Sequence, residues 1–307
     1  MSKRKIYIGT RGSRLAMAQT GHVIGDLGER NSDVSYEIIQ ISTSGDRDQA
    51  AALSTLGGYG IFTKQIEQEL LDRKIDLAVH SAKDLPATMT DLLVIAAVPT
   101  RAPVNDVLIT RDGRSLSDLP PGSVVGTSAP RRRAQLLNQR PDLVINDIRG
   151  NVETRLGKLE RGDYDAIVMA HAGLERVGLL PASAESLPPD EFLPAPGQGA
   201  LVIQGRAGDQ WILDTAAAID DPISRRCLEI ERGLLRGLNA GCSAAVGGWA
   251  RIRDTKVALD AVVLDIDGQR RLFAGGEITV GEPDINLVDM VVRELADQGA
   301  RELIART

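Results

Sequence analysis

The sequence predicts an α/β protein that closes with a smaller α+β domain, and three observations carry that reading. Short apolar runs alternate with amphipathic stretches of helical length from Lys5 to Met169, the pattern of right-handed βαβ units and a parallel sheet. The apolar run Leu77-Ala78-Val79 stops abruptly in His80-Ser81-Ala82-Lys83-Asp84-Leu85-Pro86, which reads as a buried parallel strand ending in a polar loop. In open α/β sheets that carboxyl end is where ligands sit. From Val246 onward, strand-length runs follow one another without helices between them.

Lys5 to Thr10 forms the first strand, and a helix follows from about Leu15 towards Arg30. The turn between them puts Arg11 and Ser13 at a helix N-terminus, where unpaired backbone N–H groups favour an anion and where a serine is also an ordinary N-cap. Val34 to Ile41 alternates as a second strand. Ser42 to Gly60 is polar, contains glycine and lacks periodicity, and is expected to act as a mobile cover. Ile61 to Arg73 returns to helix, and Leu92 to Val98 is another strand.

Arg101-Ala102-Pro103-Val104-Asn105 punctuates the chain as a linker. A second unit repeats the pattern, with strands at Asp106–Thr110, Ser123–Thr127, Leu143–Ile148 and Ala166–Met169 and helices at Pro130–Gln139 and Asn151–Arg161. The proline-rich Pro181 to Pro196 leads out of it, and the strand Gly199–Gln204 is placed to return to the first unit. Asp221-Pro222 is an N-cap followed by proline at the first helical position; that helix runs to about Leu238 and stops at Asn239-Ala240-Gly241-Cys242. Val246–Ile252, Lys256–Leu264 and Leu272–Val280 read as an antiparallel meander with Asp267-Gly268 as its hairpin turn, and Asp284–Arg306 closes as a helix.

A length of 307 residues suits two or three domains with sizeable cores. A net charge of −6 and 3% aromatic residues argue against a broad nucleic-acid surface, so any anion site is local. The N-terminus has no apolar region of signal-peptide length and no later run spans a bilayer, so a cytoplasmic protein that does not engage membranes is expected. Cys227 and Cys242 make no disulfide framework, although one bridge between them stays open. His22, His80 and His171 have no ligand-type spacing, and no metal is expected.

The arginines are informative because of where they fall. Arg131, Arg132 and Arg133 open a helix after Gly126-Thr127-Ser128, Arg149 follows a strand, Arg155 lies in the first turns of the next helix and Arg176 precedes Gly178. Cations at helix N-termini oppose the macrodipole unless an anion sits between them. Guanidinium forks bind carboxylates bidentately, so several of them suit a ligand with many carboxylates. No phosphate-binding glycine motif follows a strand here. Cys242 sits in a glycine turn past a helix, where it is either a reactive thiol or an inert one.

Arg11-Gly12-Ser13, Val79-His80-Ser81-Ala82-Lys83-Asp84-Leu85-Pro86, Gly126-Thr127-Ser128, Arg131-Arg132, Ile148-Arg149-Gly150-Asn151-Val152, Thr154-Arg155-Leu156, Leu193-Pro194-Ala195-Pro196-Gly197-Gln198-Gly199-Ala200 and Glu231-Arg232 to Gly241-Cys242 occur in collinear order. Together they resemble the porphobilinogen deaminase (hydroxymethylbilane synthase) family, from about Ile6 to about Gly247. The resemblance implies two periplasmic-binding-protein-like α/β lobes with a cleft and a C-terminal α+β domain. With the punctuation above, these are residues 1–99 with 200–217, residues 104–195, and residues 222–307. It implies a monomeric transferase that joins four porphobilinogen units onto a dipyrromethane cofactor in thioether linkage to Cys242, releasing a linear tetrapyrrole for porphyrin and haem biosynthesis.

The same resemblance gives Asp84, with Lys83, the catalytic role. It assigns Cys242, Lys83, Asp84, Ser81, Thr127, Ser128, Arg131, Arg132, Arg149 and Gly150 to the cofactor, and Arg11, Ser13, Arg149, Arg155, Arg176 and Gln198 to the substrate chain. Several positions depart from the family pattern: Ala129 and Pro130 stand where serine and leucine are usual, Tyr59 where lysine is frequent, and Ala240 and Ala245 where glycine and proline are common. The competing reading is a two-lobed binding or sensor module for a polycarboxylate with an inert Cys242, since a lobed fold alone does not fix function.

Overall fold

The computed structural model describes residues 3–42, 63–241 and 243–305. The expected cover from Ser42 to Gly60 therefore lies, apart from Ser42, outside the described residues. The chain folds as two compact units, residues 1–102 with 199–226 and residues 103–198 with 227–307.

The first unit begins with β1 (Arg4–Arg11), α1 (Arg14–Arg30), β2 (Val34–Ile41), α2 (Lys64–Leu71), β3 (Leu77–Ser81), a single 3-10 turn at Ala82–Asp84, and β4 (Leu93–Ala97). The second unit follows with β5 (Asp106–Thr110), β6 (Val124–Gly126), α3 (Pro130–Gln139), β7 (Val144–Asn146), α4 (Val152–Glu160), β8 (Ala166–Ala170), α5 (His171–Arg176) and β9 (Glu185–Leu187). The chain returns to the first unit as β10 (Leu201–Arg206) and α6 (Gln210–Ala217). After α7 (Pro222–Leu238) come β11 (Ala245–Arg253), β12 (Lys256–Leu264), β13 (Arg271–Thr279), α8 (Asp284–Asp297) and α9 (Ala300–Ala305).

Capping chemistry fixes several starts. The Ser13 hydroxyl accepts the Ala16 N–H at 3.2 Å, Asn151 accepts the Thr154 N–H at 2.9 Å, and Asp221 accepts the Ser224 N–H at 2.7 Å, so α1, α4 and α7 begin where a side-chain oxygen satisfies an orphan donor. Strand β3 is buried from Leu77 to His80, as an interior strand covered on both faces requires.

The two α/β sheets have the same plan. Their orders are β2-β1-β3-β10-β4 and β7-β6-β8-β5-β9. The expectation of purely parallel sheets is corrected: β10 runs antiparallel to β3 and β4, and β5 runs antiparallel to β8 and β9. These are the strands through which the chain enters each unit from the other, without the crossover helix that a parallel neighbour needs. Two further expectations are corrected. The proline-rich exit contains the short strand β9. The closing helix is broken after Asp297, where Gly299 takes a φ of +93° that ends a helix readily.

The first unit's core gathers Ile6, Ile8, Val23, Leu27, Leu77, Val79 and Ile203. In the second unit Leu108, Val125, Leu136, Val168 and Phe192 form one cluster, and α7 and α8 cover one face of the antiparallel β11-β12-β13 sheet through Leu234, Leu259, Leu287 and Val291. Within that unit the β12–β13 hairpin docks on α3. The Gly268 carbonyl accepts the Asn138 side-chain amide at 2.8 Å, and Gly268 has a φ of +68°. A Cβ there would sit on the Ala134 carbonyl oxygen and 2.5 Å from the Asn138 nitrogen.

Gly268→Ala is expected to lower unfolding stability by about 1–3 kcal/mol, from left-handed backbone strain and the forced separation of the hairpin from α3. Urea titration measures it, and a loss below about 0.5 kcal/mol would contradict this docking.

Candidate active site

In the first unit the parallel strands β1 and β3 end side by side, which brings Arg11, Ser13, Ser81, Lys83 and Asp84 to one carboxyl edge of the sheet. The turn after β3 is held from both sides. The Ala82 N–H donates to the Ala200 carbonyl at 3.0 Å and the Leu85 N–H to the Ala82 carbonyl at 3.2 Å, while Ala82 and Leu85 are buried. Two apolar anchors thus turn the intervening Lys83 and Asp84 outward, where both are exposed. Ser81 accepts a hydrogen bond from the buried Gln19 amide at 3.0 Å. Ser13 has its hydroxyl oxygen on the α1 cap and its O–H available as a donor.

Behind that edge is a buried polar relay. Gln204 donates to Glu67 Oε1 at 2.9 Å and presents Oε1 to His80 Nε2 at 3.0 Å. That arrangement requires the Nε2–H tautomer of a neutral ring. Burial pushes the His80 pKa down to about 4, against the smaller opposing effect of the Gln204 hydrogen bond.

In the second unit the loop from β6 to α3 is clamped by its own hydroxyls. Thr127 is buried and its Oγ1 accepts the Ala129 N–H at 3.3 Å. Ser128 donates to the Ile148 carbonyl at 2.8 Å and accepts the Ile148 N–H at 3.0 Å, which ties α3's entry to the stretch carrying Arg149 and Gly150. Ala129 supplies the N-cap of α3 without a side-chain hydrogen bond, and Pro130 occupies its first turn. Those departures from the family pattern remove a capping oxygen and pre-set the helical φ.

Arg131 and Arg132 are both buried and converge on the wholly buried Asp106, at 2.7 Å each. Burial alone pushes the Asp106 carboxyl up, but the adjacent Arg131 and Arg132 charges outweigh it and hold the carboxyl well below the usual range. Burial lowers Arg131, against the attraction of Asp106. Gln198 is also wholly buried, with its amide nitrogen donating to the Val104 carbonyl at 2.7 Å and to Asp106 Oδ1 at 2.9 Å. Its amide nitrogen therefore faces the protein interior.

Gly150 has a φ of +111°, and a Cβ there would lie 2.6 Å from Thr154 Cβ, so this turn into α4 accepts only glycine without rearrangement. The Arg155 Nε donates to the Gly150 carbonyl at 2.8 Å. Desolvation, with the Arg132 charge as the second cause, lowers Arg155 to about 10. Arg176, the last residue of α5, is half-buried and likewise lowered by burial.

Cys242 lies outside the described residues. The chain on either side is fixed: Asn239 takes a left-handed φ of +51°, Ala240 is buried with its N–H on the Leu235 carbonyl at 3.0 Å, and the Ala244 N–H donates to the Gly241 carbonyl at 3.1 Å. Ala245, where the family favours proline, is buried against Leu193 and Val262. Cys227 is buried in the core with Ile230 and Leu234.

The cluster around Arg131, Arg132 and Arg155 is an incompletely neutralised group of cations, with Asp106 as the carboxylate on two of them. Chemically this fits a polycarboxylate, because further anions lower the energy of guanidinium groups already removed from water. Asp106 and Gln19 have no signature in the sequence, since a lone acid opening an apolar strand and a lone glutamine inside a helix carry no motif.

The family model described as "Porphobilinogen deaminase, dipyromethane cofactor binding domain" matches residues 6–214, and that of the "Porphobilinogen deaminase, C-terminal domain" matches residues 225–295. Porphobilinogen deaminase of Desulforudis audaxviator is 46% identical over 304 residues, covering 99% of this chain and 98% of that protein. Porphobilinogen deaminase of Thermus thermophilus is 44% identical over 304 residues, covering 99% of each. Among solved structures, a periplasmic binding protein of Salmonella typhimurium studied for its arginine specificity aligns at 13% identity with a TM-score of 0.39, covering 72% of this chain and 94% of that one.

The neutral, buried His80 makes stability fall as pH falls. The unfolded chain takes up this proton near pH 6.5 and the folded chain only near pH 4, so the contribution is intact above 6.5 and is lost progressively down to about 4. The expected loss reaches about 3 kcal/mol. Chemical denaturation between pH 7 and 4 is expected to show a flatter profile for His80→Gln; parallel profiles would contradict a neutral His80.

Proposed function

The chain belongs to the porphobilinogen deaminase family, and from that premise we propose how its residues divide the work of joining four porphobilinogen units into hydroxymethylbilane. It is a transferase of porphyrin biosynthesis that works with a dipyrromethane cofactor. The observation that carries the assignment of residues is the group of buried and half-buried guanidiniums at Arg131, Arg132 and Arg155, which among the described residues shares the single carboxylate of Asp106.

When bound, the dipyrromethane supplies the free pyrrole α-carbon to which the first substrate unit is joined. Cys242 would carry it in thioether linkage. Arg131, Arg132 and Arg149 would hold its acetate and propionate groups, Lys83 and Ser81 would contribute from the edge of β3, and Thr127, Ser128 and Gly150 would shape the two loops around it. Arg11, Ser13, Arg155 and Arg176 would take the carboxylates of the incoming and growing chain, with Gln198 acting from behind. The three-domain division into residues 1–99 with 200–217, 104–195 and 222–307 belongs to the same reading, as does a cytoplasmic setting for a biosynthetic enzyme.

In each addition the amino group of the substrate's aminomethyl arm leaves as ammonia, the methylene left behind forms a C–C bond with the free α-carbon of the bound chain, and that attacking α-carbon gives up one proton. Ammonia loss generates a delocalised azafulvenium cation. Asp84, exposed on a turn anchored at both ends, is suited to stabilise that cation through its pyrrole N–H. At about 4 Å and an effective dielectric of about 20 the attraction is about 4 kcal/mol, or roughly three decades of rate. The anchoring matters because a preorganised carboxylate need not reorient as charge develops.

Asp84→Ala is expected to lower kcat by at least about two decades, read as ammonia and linear tetrapyrrole released per enzyme. Near-normal turnover would remove Asp84 from the chemistry.

A further inference from the structure

Arg131 and Arg132 are consecutive on α3. Consecutive helical side chains leave the axis about 100° apart, and two like charges in a buried site repel. Their convergence therefore needs a cause outside the helix, and Asp106 at the start of β5 supplies it. Its Oδ2 accepts Arg131 Nη2 at 2.7 Å, and its Oδ1 accepts Arg132 Nε at 3.1 Å, Arg132 Nη2 at 2.7 Å and Gln198 Nε2 at 2.9 Å. A backbone carbonyl completes the hold on each guanidinium: Leu193 for Arg131 Nη1 at 2.6 Å and Val168 for Arg132 Nη1 at 3.1 Å.

We infer that Asp106 is a positioning residue: it fixes the planes of Arg131 and Arg132 so that their remaining N–H groups are aimed at the carboxylates of the pyrrole chain. This deepens the functional reading above and rests on it. With zero exposure and its oxygens occupied by three side chains, Asp106 acts on the ligand through the arginines. One carboxylate between two guanidiniums also leaves one positive charge over. The pair is organised before the ligand arrives and is still attractive to it, whereas a second acid would neutralise the site.

Gln198 extends the device. Its amide nitrogen bridges Asp106 and the Val104 carbonyl, and the neighbouring Gly197 N–H donates to the wholly buried Glu231 of α7 at 2.6 Å. Glu231 also accepts the Ala250 N–H of β11 at 2.9 Å. The loop holding Asp106 is thus pinned to the helix whose C-terminal turn leads to Cys242.

The test compares the parent with Asp106→Asn, which removes the charge, and Asp106→Glu, which keeps the charge and displaces the carboxylate by one methylene. Intact mass gives the fraction of molecules carrying a two-pyrrole adduct, steady-state kinetics with porphobilinogen gives KM and kcat, and circular dichroism reports folding. Positioning predicts that folded Asp106→Glu loads less cofactor or raises KM by about tenfold or more, the range in which outer partners of a ligand set act, with kcat changed less. Asp106→Asn is expected to do the same more severely; should it not fold, Asp106→Glu decides alone. Parental loading and KM in the folded variants would overturn the inference while leaving the family reading in place. A parent that carries no adduct and gains none on incubation with porphobilinogen would instead overturn the functional reading, and this inference with it.

Discussion

A guanidinium removed from water needs an anion, and much of the second unit is arranged around meeting that need only in part. Leaving one member of a buried ion pair without its partner costs about 3–5 kcal/mol. Here one fully buried carboxylate, Asp106, serves two buried arginines, and Arg155 adds a charge close enough to be felt by Arg132's neighbourhood. A site built this way is stable enough to fold and remains short of negative charge. On the proposed assignment, four carboxylates on a dipyrromethane, and two more with each added unit, would supply what it lacks. In that assignment, affinity for a growing polyanion would follow from the same shortage that makes the site costly to build.

The elements exist in forms that let this happen. Parallel strands β1 and β3 deliver Arg11, Ser81, Lys83 and Asp84 to a common edge, and in the second unit parallel β6 and β7 deliver Thr127, Ser128 and, a few residues on, Arg149 and Gly150. The hydroxyl of Ser128, bonded to both backbone groups of Ile148, fixes one loop against the other. Gly150's positive φ opens the turn into α4. The antiparallel strands β10 and β5 complete each sheet: β10 carries the Gln204 that satisfies His80, and β5 begins with Asp106. Strand direction and electrostatics are linked there, because β5 enters its sheet at the edge where the arginines gather.

What could be read from the sequence was whatever is written locally. The burial of β3 and its abrupt polar end, the caps at Ser13 and Asp221, and the hairpin at Gly268 all have short-range signals, and the structure has each of them. The collinear motifs located the family because they are spaced over most of the chain. Strand direction was not legible, since β5 and β10 are apolar runs like any other and their direction depends on where the chain has just come from. The short elements β9 and α5 fall below the length at which periodicity speaks. Asp106 was invisible for a different reason: its meaning comes from two arginines about 25 residues away, and sequence separation hides a pairing that β5 and α3 make in space. Gln198 belonged to a recognised motif, yet only its hydrogen bonds reveal that its amide nitrogen faces Asp106.

If these cations hold a cofactor carried on a thiol, the intact mass of the purified protein beside that of Cys242→Ser shows it. Two linked pyrrole units of extra mass are expected on the parent, and the bare chain mass for the variant. A parent at its bare mass that gains nothing on incubation with porphobilinogen, or an adduct that persists in Cys242→Ser, would contradict it.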